Sequence, residues 1–325
     1  MKKRMTILVL LVLSMAIIGT ACSKSKQNKE PVTLKISVPD GIPALTMTKM
    51  IKENIQLSHN VGMEYNVEKT TDALAAKVLS QEADIAIVPS NLAAQLYNKE
   101  LGYHIVATGS WGSFYLISEE NIADISALKG QEITTIGKDL TPDMMLRRML
   151  TLKEITPDEE VTINYLNGAT ELAPNFIGGK ATIASVPEPM LSMIMSKKPD
   201  THIILDFNEE WKNAYGSENG YPQSSLIIKK EILDTYKVEV DLLLKEYEAS
   251  IKWGNENPKE LGDYAQELEL AVNKDVLAEA LTRANMKYVP IKESLDDYND
   301  FFKVLFEMQP QTIGGQIPDE GIYFK

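Results

Sequence analysis

The chain has one cysteine, three histidines and four arginines among 325 residues. A single thiol cannot form an internal disulfide, and an exported protein usually has paired cysteines or none. The histidines are His59, His104 and His202. None stands in an H-E-x-x-H arrangement or beside a plausible nucleophile, so they read as surface or strand residues rather than ligands, and no metal or cofactor is expected. Basic charge is also scarce. The formal net charge is −13, and it becomes −16 once Lys2, Lys3 and Arg4 are set aside, because residues 1–21 hold no acid. That excludes a nucleic-acid partner. The acidity itself speaks to solubility and leaves the ligand open. The long apolar run, from about Met5 to Ile18 and broken only by Thr6 and Ser14, falls short of the roughly 20 residues a membrane span needs.

What that run does have is a basic head (Lys2, Lys3, Arg4) and a small-residue end (Gly19, Thr20, Ala21). Together these make residues 1–21 a secretory signal peptide. Cys22 follows directly. The stretch resembles the lipobox of bacterial lipoproteins, in which the cysteine is acylated and becomes the new N-terminus. It departs at Gly19, where such boxes usually carry Leu or Val. Two acyl chains would give the anchor that stable membrane attachment requires. Residues 22–31, containing SKSKQNKEP, have no apolar periodicity and read as a flexible tether.

Beyond the tether, strand and helix patterns alternate. TLKISV (33–38) alternates as a strand. PALTMTKMIKENI (43–55) places Leu45, Met47, Met50 and Ile51 at helical spacing behind Pro43. MEYNVEK, TDALAAKVLSQ, ADIAIVP, SNLAAQLYNKE and HIVATGSW continue as strand, helix, strand, helix and strand. Such alternation predicts parallel sheet in βαβ units, an α/β fold. The pattern then restarts. At an offset of 98 residues, Leu74 meets Leu172, Ala75 meets Ala173, Ala83 meets Ala181, Ile85 meets Ile183, Val88 meets Val186 and Pro89 meets Pro187. ISVPDGIPALTMTKMI (36–51) likewise parallels TTIGKDLTPDMMLRRML (134–150). Two similar lobes follow, facing each other through the carboxyl ends of their strands, where open α/β sheets bind ligands.

The ordered set "ADIAIVPSNLAAQL", "LKGQEITTIGKDLTPDMMLRRML", "GKATIASVPEPM" and "YPQSSLIIKKEIL" resembles the substrate-binding proteins of ABC importers. Within these it is similar to the nitrate/sulfonate/taurine and thiamine-pyrimidine-precursor group, over nearly all of residues 33–310. The resemblance implies a periplasmic-binding-protein-like fold of the two-crossover type. Lobe one would be 32–112 plus 228–325, and lobe two 113–227. The crossings would fall near Gly112–Ser113 and Ser224–Ser225, and C-terminal helices at about 238–254, 274–284 and 292–307 would pack on lobe one. The implied partners are a small-molecule ligand, an ABC permease with its ATPase, and the membrane through the lipid anchor. A monomer on the outer face of the bacterial cytoplasmic membrane is expected.

Family geometry and loop chemistry point to the same candidate site. Asp40, Gly41, Ile42 and Pro43 form the first loop, with Gly41 allowing close backbone approach and the helix behind it offering free N–H groups. Ser90 and Asn91 open a second helix, as caps or as ligand contacts. Lys138, Asp139 and Thr141 lie in the matching loop of lobe two, where Thr141 caps or binds. Glu188 stands where Ser90 stands in lobe one and either meets a cationic group or simply opens a helix as a first-turn acid. Trp111 and Tyr221 mark the crossings, as stacking faces or as packing. Arg147 and Arg148 lie well down their helix, so no arginine is placed to clamp an oxyanion. The site therefore leans towards a neutral or cationic planar nitrogen compound such as a pyrimidine. Anion binding and a ligand-binding sensor remain as alternatives. No enzyme is expected, because the only cysteine stands at the lipid position and the signal peptide argues against the related cytoplasmic group of menaquinone biosynthesis, so an enzyme on the same fold is the last alternative.

Overall fold

The computed structural model describes residues 31–166 and 169–325; the leader and Cys22 lie outside them. The first lobe comprises β1 (Val32–Pro39), α1 (Ile42–Lys52), β2 (Val61–Glu68), α2 (Thr71–Leu79), β3 (Ile85–Pro89), α3 (Ser90–Asn98) and β4 (Tyr103–Trp111). The second comprises β5 (Phe114–Ser118), β6 (Glu132–Ile136), α4 (Thr141–Leu152), β7 (Thr162–Leu166), α5 (Ala169–Ile177), β8 (Ile183–Pro187), α6 (Met190–Lys197), β9 (His202–Asp206) and α7 (Phe207–Tyr215). The chain returns to the first lobe with β10 (Pro222–Lys229), α8 (Lys230–Thr235), α9 (Lys237–Glu256), α10 (Pro258–Glu267), α11 (Lys274–Leu281), β11 (Met286–Pro290) and α12 (Leu295–Met308). Among the described residues, no helix is long and apolar enough to cross a membrane.

The two sheets share one plan. The first has strand order β11-β4-β10-β3-β1-β2 and the second β7-β6-β8-β5-β9. In each, a parallel trio (β2-β1-β3 or β7-β6-β8) is followed by an antiparallel strand that enters after a crossing, β10 beside β3 and β5 beside β8. The internal repeat lies inside this plan. β3 starts at Ile85 and β8 at Ile183, while α2 starts at Thr71 and α5 at Ala169, each pair 98 residues apart. Helices cover both faces of the sheets, so central strands are buried on both sides. Ile85, Ala86, Ile87 and Val88 are all at 0% exposure, which is why β3 reads as an unbroken apolar run rather than an alternating one.

The first crossing joins β4 to β5 through Gly112 and Ser113. The second comes earlier than Ser224–Ser225. Pro222 already pairs with Trp111, and β10 is hydrogen-bonded to both β3 and β4. The expected boundary at 228 is thus corrected to just before Pro222. The two serines read as a break because they are polar, yet both are buried, and their hydroxyls find partners on neighbouring elements. The crossings also meet each other, since Gly112 N donates to Tyr221 O at 3.0 Å.

The C-terminal helices include α10, absent from the three expected, and α12 reaches across the junction. Phe301 on α12 lies edge-on to Trp211 of α7 (5.9 Å between ring centroids) and stacks on Tyr221 (6.1 Å, 12° between planes). The largest apolar cluster accordingly draws on both lobes. The tail after 309, which lacks any period in sequence, is fastened to α3 and β4. Asn98 Nδ2 donates to Ile313 O (2.6 Å) and Gln316 O (2.8 Å), Phe324 N donates to Ile105 O (3.0 Å), and Ile313 and Ile322 are fully buried.

Candidate functional site

The carboxyl ends of β1, β3 and β6 feed α1, α3 and α4, and none of these helices has a side-chain N-cap. By contrast α2, α7 and α11 are capped by Thr70, Asp206 and Asn273. Helix starts left without a side-chain acceptor keep backbone N–H groups available to a ligand. In the first loop Gly41 has φ of +104°, a conformation that favours glycine, and Ile42 is buried behind it. Pro43 occupies the first turn of α1, where no N–H is needed. The Asp40 side chain is already engaged by the protein. Its carboxylate accepts from Gly41 N (2.8 Å) and Ala271 N (3.0 Å) and pairs with Lys69 (3.0 Å), which fastens the loop to the segment ahead of α11.

Within the first lobe, at the end of β3 and along β4 and β10, lies a set of buried hydroxyls that forms its floor. Ser90 caps nothing; it is the first residue of α3, and its Oγ accepts from Ser225 Oγ at 2.8 Å. Ser225 shares the Tyr298 hydroxyl (2.7 Å) with Thr108 (2.7 Å), and Ser110 is bonded to Ser224. Burial pushes the Tyr298 phenol up to about 12, so it stays a neutral donor. At the crossings Gln223 Oε1 accepts from Ser113 N (2.9 Å) and Ser113 Oγ (3.2 Å). Asn91 does not join this floor, since its Nδ2 donates to Thr312 O in the tail.

On the facing lobe Lys138 and Asp139 are exposed, and Thr141 is the first residue of α4, with Leu140 before it as the non-capping end. Lys138 and Asp139 help line a cavity of about 600 Å³ with Asp143, Arg147, Tyr165 and Met308, so it is walled by both lobes. Lys138 Nζ sits 5.6 Å from the Tyr165 ring. Asp143 is buried and accepts from Asp139 N (2.9 Å), Arg147 Nε (2.9 Å) and the Tyr165 hydroxyl (2.8 Å). Arg147 Nη1 continues to Asp158 at 2.7 Å. Burial, with the bond to Asp143, pushes the Tyr165 phenol up to about 12.

Three further residues follow the structural one of their two expected readings rather than ligand contact. Trp111 and Tyr221 are fully buried. Trp111 Nε1 donates to Lys287 O (3.0 Å) at the wall of a cavity of about 530 Å³ shared with Lys212, Asn219 and Asn285, and Tyr221 is stacked in the aromatic junction, so Tyr221 packs rather than offers a face. Glu188 is 3% exposed and already has partners. Its Oε1 accepts from Arg283 Nε (2.7 Å) and Ser192 Oγ (2.9 Å), and its Oε2 from Ser192 N (3.1 Å). Burial pushes the Glu188 carboxyl upward against the pull of Arg283. Arg283, which the sequence does not mark, comes from the turn between α11 and β11 in the first lobe. No motif or period surrounds it; only the strand-helix packing brings it to the second lobe. Arg148, by comparison, is held by the Tyr215 hydroxyl (2.6 Å).

A family model described as menaquinone biosynthesis matches residues 44–306. No curated protein is similar enough in sequence to match. Among solved structures, the chain is similar to an ABC transporter from Parabacteroides distasonis, with TM-score 0.78 and 23% identity over 90% of this chain and 99% of that one. It is also similar to the periplasmic aliphatic sulphonate binding protein SsuA from Escherichia coli (TM-score 0.73, 11% identity, 91% and 92% covered). A third is the periplasmic nitrate-binding protein NrtA from Synechocystis PCC 6803 (TM-score 0.61, 12% identity, 87% and 84% covered). At such identities the likeness is one of fold, and at that level the resemblance read from the sequence is borne out.

Proposed function

Since the chain belongs to the family described as menaquinone biosynthesis, on a fold shared with sulphonate- and nitrate-binding proteins, we propose that it is the extracytoplasmic solute-binding component of an ABC importer. Two lobes close on a small solute by hinge motion at the crossings, and the permease reads the closed form. The observation that carries this reading is the pairing of two like-built sheets, each a parallel trio followed by an antiparallel strand that enters after a crossing. Gly41, Ile42 and Pro43 contribute backbone and shape, and Ser90 a hydroxyl. Lys138, Asp139 and Thr141 close from the other lobe. Hydroxyls and the Gln223 amide both donate and accept, which suits an uncharged planar nitrogen compound such as a pyrimidine precursor.

The test is a thermal-shift panel on residues 23–325 containing pyrimidines, thiamine, amino acids, taurine, alkylsulfonates and nitrate. A true solute at about 100 times its Kd adds about 2.7 kcal/mol and raises the midpoint by several degrees. No shift with any member would count against this reading. The family's description favours a second one, catalysis in menaquinone biosynthesis. Conversion of a bound compound, followed by mass spectrometry, would establish that instead.

Cys22 is proposed as the lipid anchor that holds the protein, as a monomer, beside its permease. Cys22→Ala is expected to release the protein from the membrane fraction once the leader is cut. A variant still fully membrane-held, with its leader shown by mass to be removed, would rule the anchor out.

A further inference from the structure

Of the four arginines, Arg283 alone among the described ones sits where the lobes meet at a strand end; Arg147 and Arg148 are held within the second lobe. Each of its guanidinium nitrogens has a partner. Nε reaches Glu188 Oε1 (2.7 Å), Nη2 reaches Ser192 Oγ (2.9 Å) and Nη1 reaches Glu279 Oε1 (2.7 Å). Its backbone is fixed too, because the Tyr115 hydroxyl donates to Arg283 O at 2.7 Å. The Glu188 side chain is 0% exposed and that of Arg283 is 18% exposed. One carboxylate therefore neutralises the junction arginine and takes up Ser192 N and Ser192 Oγ. In the first lobe the equivalent position, 98 residues earlier, is Ser90, an uncharged hydroxyl.

We propose that Glu188 is a built-in counter-anion that takes the place an oxyanion would take beside Arg283 at the lobe junction and so determines specificity, excluding sulfonates, nitrate and carboxylates in favour of uncharged or cationic solutes. The proposal rests on the solute-binding reading for its biological meaning. An incoming oxyanion would have to displace Glu188 and leave that carboxylate buried without its cation, which is strongly unfavourable. It would also meet the buried Glu188 carboxylate, and like charge at a buried contact suppresses the wrong ligand, whereas Glu279 on the same arginine is largely exposed.

The test uses the leader-free chain as wild type, Glu188→Ala, Glu188→Gln and the double variant Glu188→Ala/Arg283→Gln. The probes are formate, acetate, nitrate and methanesulfonate, with chloride at equal ionic strength as control. Wild type is expected to show no midpoint shift beyond that of chloride. Glu188→Ala should melt lower and recover with formate or acetate, binding them at least roughly tenfold more tightly than wild type, a difference of about 1.4 kcal/mol. The double variant should lose that recovery. Should Glu188→Ala fail to fold, Glu188→Gln, which keeps the shape, is expected to gain nitrate affinity through the uncompensated Arg283. Wild type binding the oxyanions as tightly as the variants would overturn the proposal, as would folded variants that gain nothing. Failure of the solute reading would look different. Wild type would bind no neutral or cationic solute, while the variants still acquired the oxyanions.

Discussion

Phe301→Ala is expected to lower stability by about 4 kcal/mol, within the range for deleting a fully buried aromatic, and to weaken the coupling between the lobes. Phe301 is at 0% exposure and touches three rings: Trp211 at 5.9 Å, Tyr221 at 6.1 Å and Phe302 at 6.1 Å. Its position decides the size of the effect. It belongs to α12, in the segment that follows the return to the first lobe, whereas Trp211 lies on α7 of the second and Tyr221 at the crossing itself. Trp211 also stacks on Tyr215 at 4.1 Å, so α7 presents a pre-ordered aromatic face that Phe301 and Tyr221 meet from the other side. A cavity there is lined by rings that cannot collapse into it without moving one lobe against the other. Urea unfolding followed by tryptophan fluorescence should show the midpoint fall and the slope of the transition decrease as the lobes begin to unfold separately. A loss under 1 kcal/mol with an unchanged slope would mean that the junction is held elsewhere, by the Arg283–Glu188 pair and the Asp297 bonds to Ser217 and Asn219.

The lobe plan was legible because it is written in local periodicity. The strand at 83–89 and its counterpart at 181–187 are apolar runs followed by proline, and both recur in the structure as β3 and β8. Periodicity of that kind reports which face of an element is buried, and it does so without knowledge of partners. What it does not report is how a polar residue inside a sheet is satisfied. Ser224 and Ser225 look like a break between elements, yet hydroxyls from α3, β4 and α12 converge on them, so the strand continues through. The same limit applies to the site. Gly41, Ile42, Pro43, Ser90, Lys138, Asp139 and Thr141 lie at strand ends, and strand ends can be located from pattern. Asp40, Asn91 and Glu188 lie at the same ends, but their side chains turn to Ala271, Thr312 and Arg283, all distant in the chain. Trp111 and Tyr221 were placed at the crossings, and only the packing of α12 and β11 decides that their rings are enclosed. Arg283 is the clearest case. It follows α11 with no distinguishing neighbour, and its role arises entirely from the contact of that turn with β8 and α6.

Gly112→Ala should cost about 3 kcal/mol, the upper part of the usual range for overpacking, and should also disturb the angle between the lobes. Nothing in its backbone dihedrals demands glycine; the demand is space. A Cβ at this position would lie 2.2 Å from Tyr221 Cε1, 2.5 Å from Tyr221 Cζ and 2.6 Å from Asn208 Oδ1. Neither neighbour can swing aside. Tyr221 is enclosed by Trp211 and Phe301. Asn208 is 1% exposed, accepts from Tyr221 N at 3.2 Å and donates to Asn219 O at 3.1 Å, so it ties α7 to the second crossing. Gly112 also holds the two crossings together, donating its N–H to Tyr221 O and accepting from Asn285 Nδ2 at 2.5 Å. An added methyl group must therefore separate the crossings or tilt the tyrosine out of the aromatic junction, and either movement alters the hinge. Gly130→Ala is the informative control. Its φ of +81° strains any other residue, but nothing lies within 4 Å of the added carbon, so it should lose only about 1 kcal/mol. If the two variants melt alike, the crossings are loose enough to dilate. Closure would then be a soft motion spread over both strands rather than a rotation about a packed pivot.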